Sequence, residues 1–421
     1  MIAFPLSKLK DLPISIIDGD RSAKYPKREE FLDSGVPFLS STNILPSGRF
    51  DFQNMNYISE QKFASIKKGR VQGLDVVMTT RGSSVGKVAC IPSNFRGLIN
   101  AQMLILRADN HQFSSKYLFY WLLGSDGQKI LKNFSSGSAQ PQIPIRDLQE
   151  IELPVPSFDI QCRIATILSA YDDLIENNTR RIAVLEEMAR RIYEEWFVHF
   201  RYPGHEQAQK VETELGLVPK GWSISTIGEC CTRIQSGGTP SRKNLDYWSD
   251  GTVDWYKTQE LKNCFLFDAD ERICESAVHA KKAKIFPAGT ILLAIYGATI
   301  GRLGVTTRRA SCNQAALGFE PDEQRIKKWF LYSLLSSRYQ EFNDKAQGAA
   351  QQNMSKERVA ATKFVLSPND IQSKFDVAVA PMFELIRTLQ QKNANLRQTR
   401  DLLLPRLISG ELDVSTLVLP E

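Results

Sequence analysis

The chain has 421 residues, of which 42% are hydrophobic, and a mean hydropathy of −0.27. Its longest apolar runs are far too short to cross a bilayer, and no basic segment with an apolar stretch behind it opens the chain, so we predict a cytoplasmic protein that contacts no membrane. The seven cysteines form no C-x-x-C pair and the four histidines are scattered, which favours reduced thiols and excludes the common metal sites.

The net charge of +6 is unevenly distributed along the chain. Residues 1–156 and 207–367 each carry +5, whereas 157–206 carry −3 and 368–421 carry −1. Basic segments that alternate with acidic ones are typical of DNA-binding heads on a scaffold. Solvated surface charge with a chance asymmetry is the alternative.

Breakers and caps divide the chain into segments. The prolines at 154 and 156 precede a long helical pattern, and Tyr202-Pro203-Gly204 ends it. Gly410 has the position of a C-terminal helix cap. The predicted segments are a first globular domain (1–156), a long helix (157–200), a polar linker (201–220), a second globular domain (221–368), a second long helix (369–410) and a tail (411–421).

The two helical segments repeat each other at a separation of 211 residues. Apolar positions run from Ile160 to Trp196 in the first copy and from Ile371 to Leu407 in the second. Steps of four and three residues alternate in both, and each copy has one extra step of four, after Asn178 and after Leu389. A duplicated seam of this kind predicts two helices that pack as an antiparallel coiled coil with internal pseudo-twofold symmetry.

Polar side chains occupy core-type positions of this seam, namely Asn178, Asn393 and Arg400. Polar groups in a coiled-coil core can fix the register of the two helices at a cost in stability. The alternative is that these positions lie at the solvent edge, where the extra step lets the seam drift.

The globular segments also align with each other. Residues 36–44 match 253–261, 81–87 match 296–302, and the helical stretch 116–123 matches 328–335. Short strands with few helices predict a small α+β fold in each segment. The two segments share the order of their strands and helices, but their loop side chains differ. The pattern therefore indicates two recognition domains that have one scaffold and different targets.

A glycine-flanked turn is the clearest local motif of each copy. The sequence from Gly82 to Lys87 superficially resembles a phosphate loop, but it is one residue short and lacks the metal-binding Ser or Thr, so we predict no nucleotide site. Such a turn can still approach a DNA phosphate or a base edge. For Lys87, a plain β-turn with a solvated lysine is an equal alternative.

Basic loops and amide clusters complete the predicted DNA contacts. The amides suit bidentate bonds to adenine, but they could equally cap the neighbouring strand. The DNA-binding residues that we predict are Arg21, Lys24, Lys27, Arg28, Ser41, Thr42, Asn43, Arg81, Ser83, Ser84, Lys87, Gln140 and Gln142 in the first domain, and Thr239, Ser241, Arg242, Lys243, Lys257, Thr258, Gln259, Tyr296, Thr299, Arg302, Gln351, Gln352 and Asn353 in the second.

Catalytic signatures are missing from the sequence. We find no G-x-G-x-x-G cofactor loop, no methyltransferase motif, no paired carboxylates and no Ser-His-Asp arrangement, and four histidines leave little acid–base capacity. The sequence therefore predicts a binding protein without catalytic residues or a cofactor of its own.

The chain resembles the specificity subunits of type I restriction-modification systems. The resemblance covers essentially the whole chain, but the first domain has Gly19-Asp20 where the second has Gly237-Gly238-Thr239-Pro240. The stretches that carry it are 236–240 with Tyr247-Trp248, 168–178 with 194–198, 218–222 and 403–412.

The resemblance implies that each globular domain reads one half of a bipartite, asymmetric site in double-stranded DNA. It also implies that the helices set the unread spacer and dock two modification subunits, which bind S-adenosylmethionine and flip an adenine for methylation. Restriction subunits would add ATP- and Mg²⁺-dependent translocation and cleavage. The competing hypotheses are a coiled-coil adaptor that binds no nucleic acid and, more distantly, a standalone methyltransferase.

Overall fold

The computed structural model describes residues 4–45, 47–52, 54–135, 141–347 and 353–417. Contacts divide the chain into unit 1, Met1–Ile175 with Asn395–Glu421, and unit 2, Glu176–Ala394. Among the helices in these ranges, none combines the length and the apolar character needed to cross a membrane. The same ranges contain no group of three or more His, Cys, Asp or Glu side chains that could hold a metal ion.

Unit 1 is an α+β unit, as predicted. Its strands are β1 Leu6–Lys8, β2 Ile14–Asp18, β3 Val36–Leu39, β4 Asn56–Ile58, β5 Arg70–Val71, β6 Val76–Thr79, β7 Val88–Cys90, β8 Gly97–Ile99, β9 Met103–Ala108 and β10 Glu152–Pro154. Its short helices are α1 Glu60–Ser65, α2 Ser115–Leu123, α3 Ser125–Ser135 and α4 Ile145–Gln149. The strands form sheets with the orders β2-β9-β6-β7, β4-β3-β8-β5 and β1-β10.

Strand β6 separates the cores of unit 1. Its side chains alternate between the two faces of the sheet, as the period of a strand requires. Val76 and Met78 pack into the cluster that contains α2, whereas Val77 packs with Ile99 and Ile105 on the other face. Both faces are covered, which explains why Val76, Val77 and Met78 are apolar in succession.

Unit 2 repeats this plan after the first long helix, α5 (Phe158–Tyr193). Its further elements are β11 Lys210–Thr213, β12 Gly216–Pro219, β13 Ser223–Thr226, β14 Cys231–Ser236, β15 Val253–Tyr256, β16 Cys264–Leu266, β17 Glu271–Ile273, α6 Glu275–His279, β18 Ile291–Ala294, β19 Leu303–Thr306, β20 Ala310–Cys312, β21 Ala316–Pro321, α7 Lys328–Ser337, α8 Tyr339–Gln347, α9 Lys356–Ala360, β22 Lys363–Leu366 and the second long helix, α10, Asn369–Ile408.

The sheets of unit 2 share most of their strands with those of unit 1, but β16 is additional and β5 has no counterpart. The order β14-β21-β18-β19-β16 contains the equivalent of β2-β9-β6-β7, and β17-β15-β20 corresponds to β4-β3-β8. One difference from the sequence analysis lies in the predicted polar linker, where β11 and β12 pair as an antiparallel hairpin. Each strand has only four residues, and neither alternates polar and apolar side chains, so the sequence carries no clear strand signal here.

Left-handed residues follow the end of each long helix. Helix α5 continues as a π turn, Glu194–Val198, and the chain then passes through left-handed residues at Phe200 (φ 59°) and Gly204 (φ 90°). Helix α10 ends at Ile408, and Gly410 is left-handed (φ 75°), the conformation of a C-terminal cap.

The two helices pack against each other in antiparallel fashion, as predicted. In unit 2, Asn178 lies opposite Asn393, and the rings of Trp196 and Phe197 lie 6.0 and 5.1 Å from that of Phe375. In unit 1, the first turns of α5 share a buried cluster with the last turns of α10; its helix members are Ile164, Leu168, Leu404, Leu407 and Ile408.

The polar seam residues are buried, so the solvent-edge interpretation is wrong. Asn178 is 8% exposed, Asn393 is 3% exposed, and the Asn178 amide donates to the Asn393 side-chain oxygen over 2.9 Å. Because the helices are antiparallel, this pair places the extra step from 178 to 182 opposite the extra step from 389 to 393. Arg400, also buried, forms an ion pair with Asp172. These contacts favour the register role.

The asparagine pair gives a testable prediction. We expect Asn178→Leu to lower the free energy of unfolding by about 1–3 kcal/mol, because it leaves the buried Asn393 amide without its main partner. The double variant with Asn393→Leu should recover most of that loss, since it removes both polar groups. Chemical denaturation measures both values. Equal stability of the single variant and the wild type would contradict the register role.

Candidate nucleic-acid interface

The glycine turns have the same geometry in both units. In unit 1, the turn joins β6 to β7, and the Gly86 N–H donates to the Thr79 carbonyl over 2.9 Å. In unit 2, the Gly301 N–H donates to the Ala294 carbonyl over 3.0 Å. Gly82 and Gly86 have φ of 87° and 86°, and Gly297 and Gly301 have 64° and 83°, values that glycine adopts without strain.

Each turn pairs with the segment that carries a predicted amide. Arg81 forms an isolated antiparallel bridge with Gln142, and Tyr296 forms the equivalent bridge with Asn353. The turn and the amide therefore form one surface in each unit, although the sequence separates them by about sixty residues. Gln140, Gln351 and Gln352 lie outside the described residues.

A small cavity of about 270 Å³ lies beside the turn of unit 1. Its lining includes Arg21, Arg81, Gln102 and Gln142. Arg21 is oriented by an ion pair with Asp18 at 2.9 Å, and Arg81 and Gln142 are exposed. Guanidinium and amide groups at one concavity are the groups that read guanine and adenine edges in DNA grooves.

Lys87 and Arg302 occupy equivalent positions but have different partners. Lys87 is half-buried, and its ammonium donates to the Ser41 carbonyl at 3.4 Å, so it is not the freely solvated lysine of a plain turn. The Arg302 guanidinium lies 5.2 Å from the centre of the Tyr339 ring. Within the predicted turns, Ser83 and Arg302 are exposed, and Ser84 and Thr299 are half-buried.

The predicted segments 41–43 and 257–259 are partly structural. Asn43 is buried: its side chain accepts from the Ser40 N–H and donates to the Asn54 carbonyl, which fixes the local turn. Thr258 is buried at the equivalent turn. The exposed members of these segments are Thr42 and Gln259, while Ser41 and Lys257 are half-buried.

The basic loop of unit 2 is held by aromatic and acidic partners. The Arg242 guanidinium lies 3.7 Å from the centre of the Trp248 ring and pairs with Glu271, which also binds Lys257 at 3.0 Å. Arg242 and then Lys257 hold the pKa of Glu271 below its ordinary value. Thr239 bonds Gln314, and Ser241 and Lys243 are exposed. The loop therefore presents oriented cations.

The equivalent loop of unit 1 keeps the same close approach without the Gly-Gly-Thr-Pro motif. A Cβ at Gly19 would collide with the Asn100 carbonyl, and a Cβ at Gly237 would collide with that of Asn313, the residue aligned with Asn100. Asp20 is buried and accepts the Ser22 N–H over 2.7 Å. Lys24, Lys27 and Arg28 are exposed.

A lysine pair beside each basic loop is absent from the predicted DNA-binding residues. Lys67 and Lys68 line a concavity with Arg21 and Lys24, and the Lys282 backbone lies against Gly238 in unit 2. These lysines and Lys281 are exposed and form no ion pair within the described ranges. The repeated Lys-Lys at 67–68 and 281–282 was the signal available in the sequence.

Three cysteine thiols, those of Cys90, Cys231 and Cys312, are not reactive groups. Burial raises the pKa of Cys90 to about 11 and those of Cys231 and Cys312 to about 12. Such thiols stay protonated at neutral pH and are weak nucleophiles. All seven cysteines are free, in keeping with the predicted reduced state.

Comparisons with known proteins agree on one family. The model of the type I restriction modification DNA specificity domain matches twice, over residues 6–187 and 219–398. The type I restriction enzyme MjaIX specificity subunit of Methanocaldococcus jannaschii is 27% identical over 306 residues, which cover 72% of this chain and 70% of that protein. The HindI specificity subunit of Haemophilus influenzae is 21% identical, over 94% of this chain and 98% of that protein.

A solved structure has the same fold. The crystal structure of the S subunit of a type I restriction-modification system from M. genitalium superimposes with a TM-score of 0.62. The match covers 98% of this chain and 97% of the other at 16% sequence identity, so the likeness concerns the fold.

The lysine pair of unit 1 gives a prediction on salt dependence. If Lys67 and Lys68 contact DNA phosphates, Lys67→Ala with Lys68→Ala should flatten the slope of log affinity against log salt by about 1.8, since each neutralised phosphate contributes about 0.9. Titrations of a DNA duplex at several salt concentrations measure this slope.

A matched control is Lys8→Ala with Lys10→Ala. It removes the same charge, but both ammonium groups already bind Glu150, at 2.8 and 2.6 Å. Equal slopes for the two double variants would count against a phosphate contact at Lys67 and Lys68.

Proposed function

The chain belongs to the type I restriction modification DNA specificity family, with two copies of its domain, and we propose that each copy reads one half of a bipartite, asymmetric DNA site. Family membership favours this role over a coiled-coil adaptor without DNA recognition.

The observation that carries the proposal is the repeated juxtaposition of turn and amide. Unit 1 presents Arg81 and Gln142 on the same backbone arrangement that presents Tyr296 and Asn353 in unit 2. Base edges in the major groove are distinguished by their pattern of donors and acceptors, so different side chains on one scaffold read different sequences. The oriented cations around both turns would supply the sequence-independent affinity for phosphates.

The two long helices are suited to set the length of the unread spacer between the two half-sites. A rod of about 40 residues rises about 60 Å at 1.5 Å per residue, and its seam is held in register by buried polar pairs. The relatives are named as subunits of type I restriction enzymes. We accordingly assign the outer faces of α5 and α10 to the docking of two modification subunits, in a cytoplasmic complex that restriction subunits complete.

In this proposal the chain supplies specificity and no catalysis. S-adenosylmethionine would bind to the modification subunits, which flip and methylate an adenine, and ATP with Mg²⁺ would bind to the restriction subunits.

Exchange of residues 1–156 for the equivalent domain of a relative tests the half-site assignment. We expect the methylated site, mapped by sequencing the methylome of an expressing strain, to change in one half only, because the second reader is unaltered. Retention of both original halves would refute the proposal.

Insertion of one heptad at matching points of α5 and α10 tests whether the two helices set this length. Seven residues add about 10 Å of helix, so the unread spacer should lengthen by up to about three base pairs. The insertions belong between the polar pairs, so that the Asn178–Asn393 and Asp172–Arg400 contacts can both re-form. The methylome again gives the result, and an unchanged spacer in a stable complex would contradict this role.

A further inference from the structure

The two units differ at the layer where each globular domain meets the helices. In unit 1, polar groups converge on Asp172 of α5. The Tyr120 hydroxyl donates to its carboxylate over 2.7 Å, Arg400 of α10 pairs with the same carboxylate, and the Arg49 guanidinium donates to its backbone carbonyl. The Arg400 side chain is 10% exposed, so this space is filled by the chain's own cations.

The repeat identifies the equivalent positions on the helices of unit 2. The offset of 211 residues places Phe383 where unit 1 has Asp172, and Ala189 where it has Arg400. The alignment of α2 with α7 places Tyr332 at the position of Tyr120. The Tyr332 and Phe383 rings are in contact, with their centres 5.2 Å apart. In unit 2, aromatic rings therefore occupy the positions that Asp172 and its polar partners occupy in unit 1.

Backbone geometry locates the equivalent of Arg49. Gly48 and Asn263 are both left-handed, with φ of 75° and 57°. Gly48 approaches the Val88 carbonyl, and the Asn263 N–H binds the equivalent carbonyl, that of Leu303. The residue after each is Arg49 in unit 1 and Cys264 in unit 2. Two arginine side chains of unit 1 thus correspond to the small side chains of Cys264 and Ala189.

A cavity of about 380 Å³ occupies this place in unit 2. Cys264 and Ala189 line it, together with the aromatic residues Phe265, Trp329, Tyr332 and Phe383. The Trp329 and Phe383 rings are stacked, with centres 4.0 Å apart and an angle of 7° between the planes. The Trp329 ring already contacts the Lys328 ammonium, 4.6 Å from its centre, so the Phe265 and Tyr332 rings are the surroundings that the cavity offers to a further cation.

Carboxylates of α5 surround the aromatic lining. Glu187 and Glu194 share Arg190, with which both form ion pairs. Glu186 also lines the cavity, and it has no ion-pair partner in the described part of the chain. Glu186 is exposed by its accessible surface, but the protein atoms around its carboxylate desolvate it and raise its pKa, so a cation beside it would favour the charged form.

We propose that this cavity receives an arginine side chain from a modification subunit, and that only one of the two docked copies makes this contact. A guanidinium fits better than an ammonium because it is planar, weakly hydrated and able to stack on aromatic rings while it binds a carboxylate. The layer of unit 1 has no room for it, since Arg49 and Arg400 lie there. The inference rests on the proposed function, from which it takes the identity of the partner.

The test compares variants of the full chain in assembly with its modification subunit. Ala189→Arg copies Arg400 and fills the cavity with a cation of the chain, and Glu186→Gln removes the unpaired carboxylate with little effect on packing. Leu217→Arg is the control, because Leu217 is 60% exposed, lies on β12 instead of the long helices, and does not line the cavity. Native mass spectrometry counts bound subunits, and calorimetry measures the two binding steps.

We expect Ala189→Arg and Glu186→Gln to weaken one binding step by about tenfold or more and to leave the other unchanged, whereas Leu217→Arg leaves both unchanged. Thermal unfolding shows whether each variant folds as the wild type does. Glu186→Gln decides the question if Ala189→Arg does not fold.

The inference is overturned if folded Glu186→Gln keeps both affinities. It is also overturned if the variants change only self-association of the chain or only the binding of free arginine amide, because the occupant is then a second copy or a small cation. A wild-type chain that binds DNA but no modification subunit overturns it as well. Failure of the wild type to bind DNA refutes the proposed function instead, so the two failures are distinguishable.

Discussion

The structure depends on a buried antiparallel seam that must keep a single register. Apolar seams alone tolerate a shift of one heptad, because every apolar side chain finds another apolar partner after the shift. Here a shift would separate Asn178 from Asn393 and Asp172 from Arg400, and each separation leaves polar groups buried without partners. The polar pairs therefore lower the stability of the seam somewhat, but they allow only one alignment of the two helices. Each globular domain is thus attached to helices whose positions along each other are fixed.

The globular domains follow a similar principle, in which the backbone is constrained and the side chains are free to change. Gly19 and Gly237 approach the ends of β8 and β20 so closely that a Cβ would collide with the carbonyls of Asn100 and Asn313, and the turn glycines take left-handed conformations. These backbone requirements restrict only the glycine positions, and the side chains at neighbouring positions are free to vary. Arg81 and Tyr296 can thus occupy the same place, and recognition can diverge without refolding the scaffold.

The sequence predicted features that arise from local pattern or from repetition. The seam of α5 and α10, the cap at Gly410, the α+β fold of both units and the glycine turns are of this kind. It did not predict that Arg81 pairs with Gln142, because that contact joins distant segments through sheet topology. Nor could it show that Asn43 and Thr258 turn inward, or that Trp248 and Glu271 orient Arg242, since these depend on side-chain packing across loops. Whether the candidate residues contact DNA remains a prediction.

Divergence between the units at the layer of Asp172 and Phe383 has a mechanical consequence. Hydrogen bonds and ion pairs are directional, so the contacts of Tyr120, Arg49 and Arg400 with Asp172 define an angle between domain and helix as well as a distance. Stacked rings such as Trp329 and Phe383 gain most of their energy from buried area, which changes little when one ring slides over the other. At this layer the first domain is consequently held mostly by oriented bonds. The second is held mostly by packed rings, although the Phe265 N–H also donates to the Gln390 side chain of α10 over 2.9 Å. A symmetric repeat can in this way give its two readers unequal freedom to adjust to DNA.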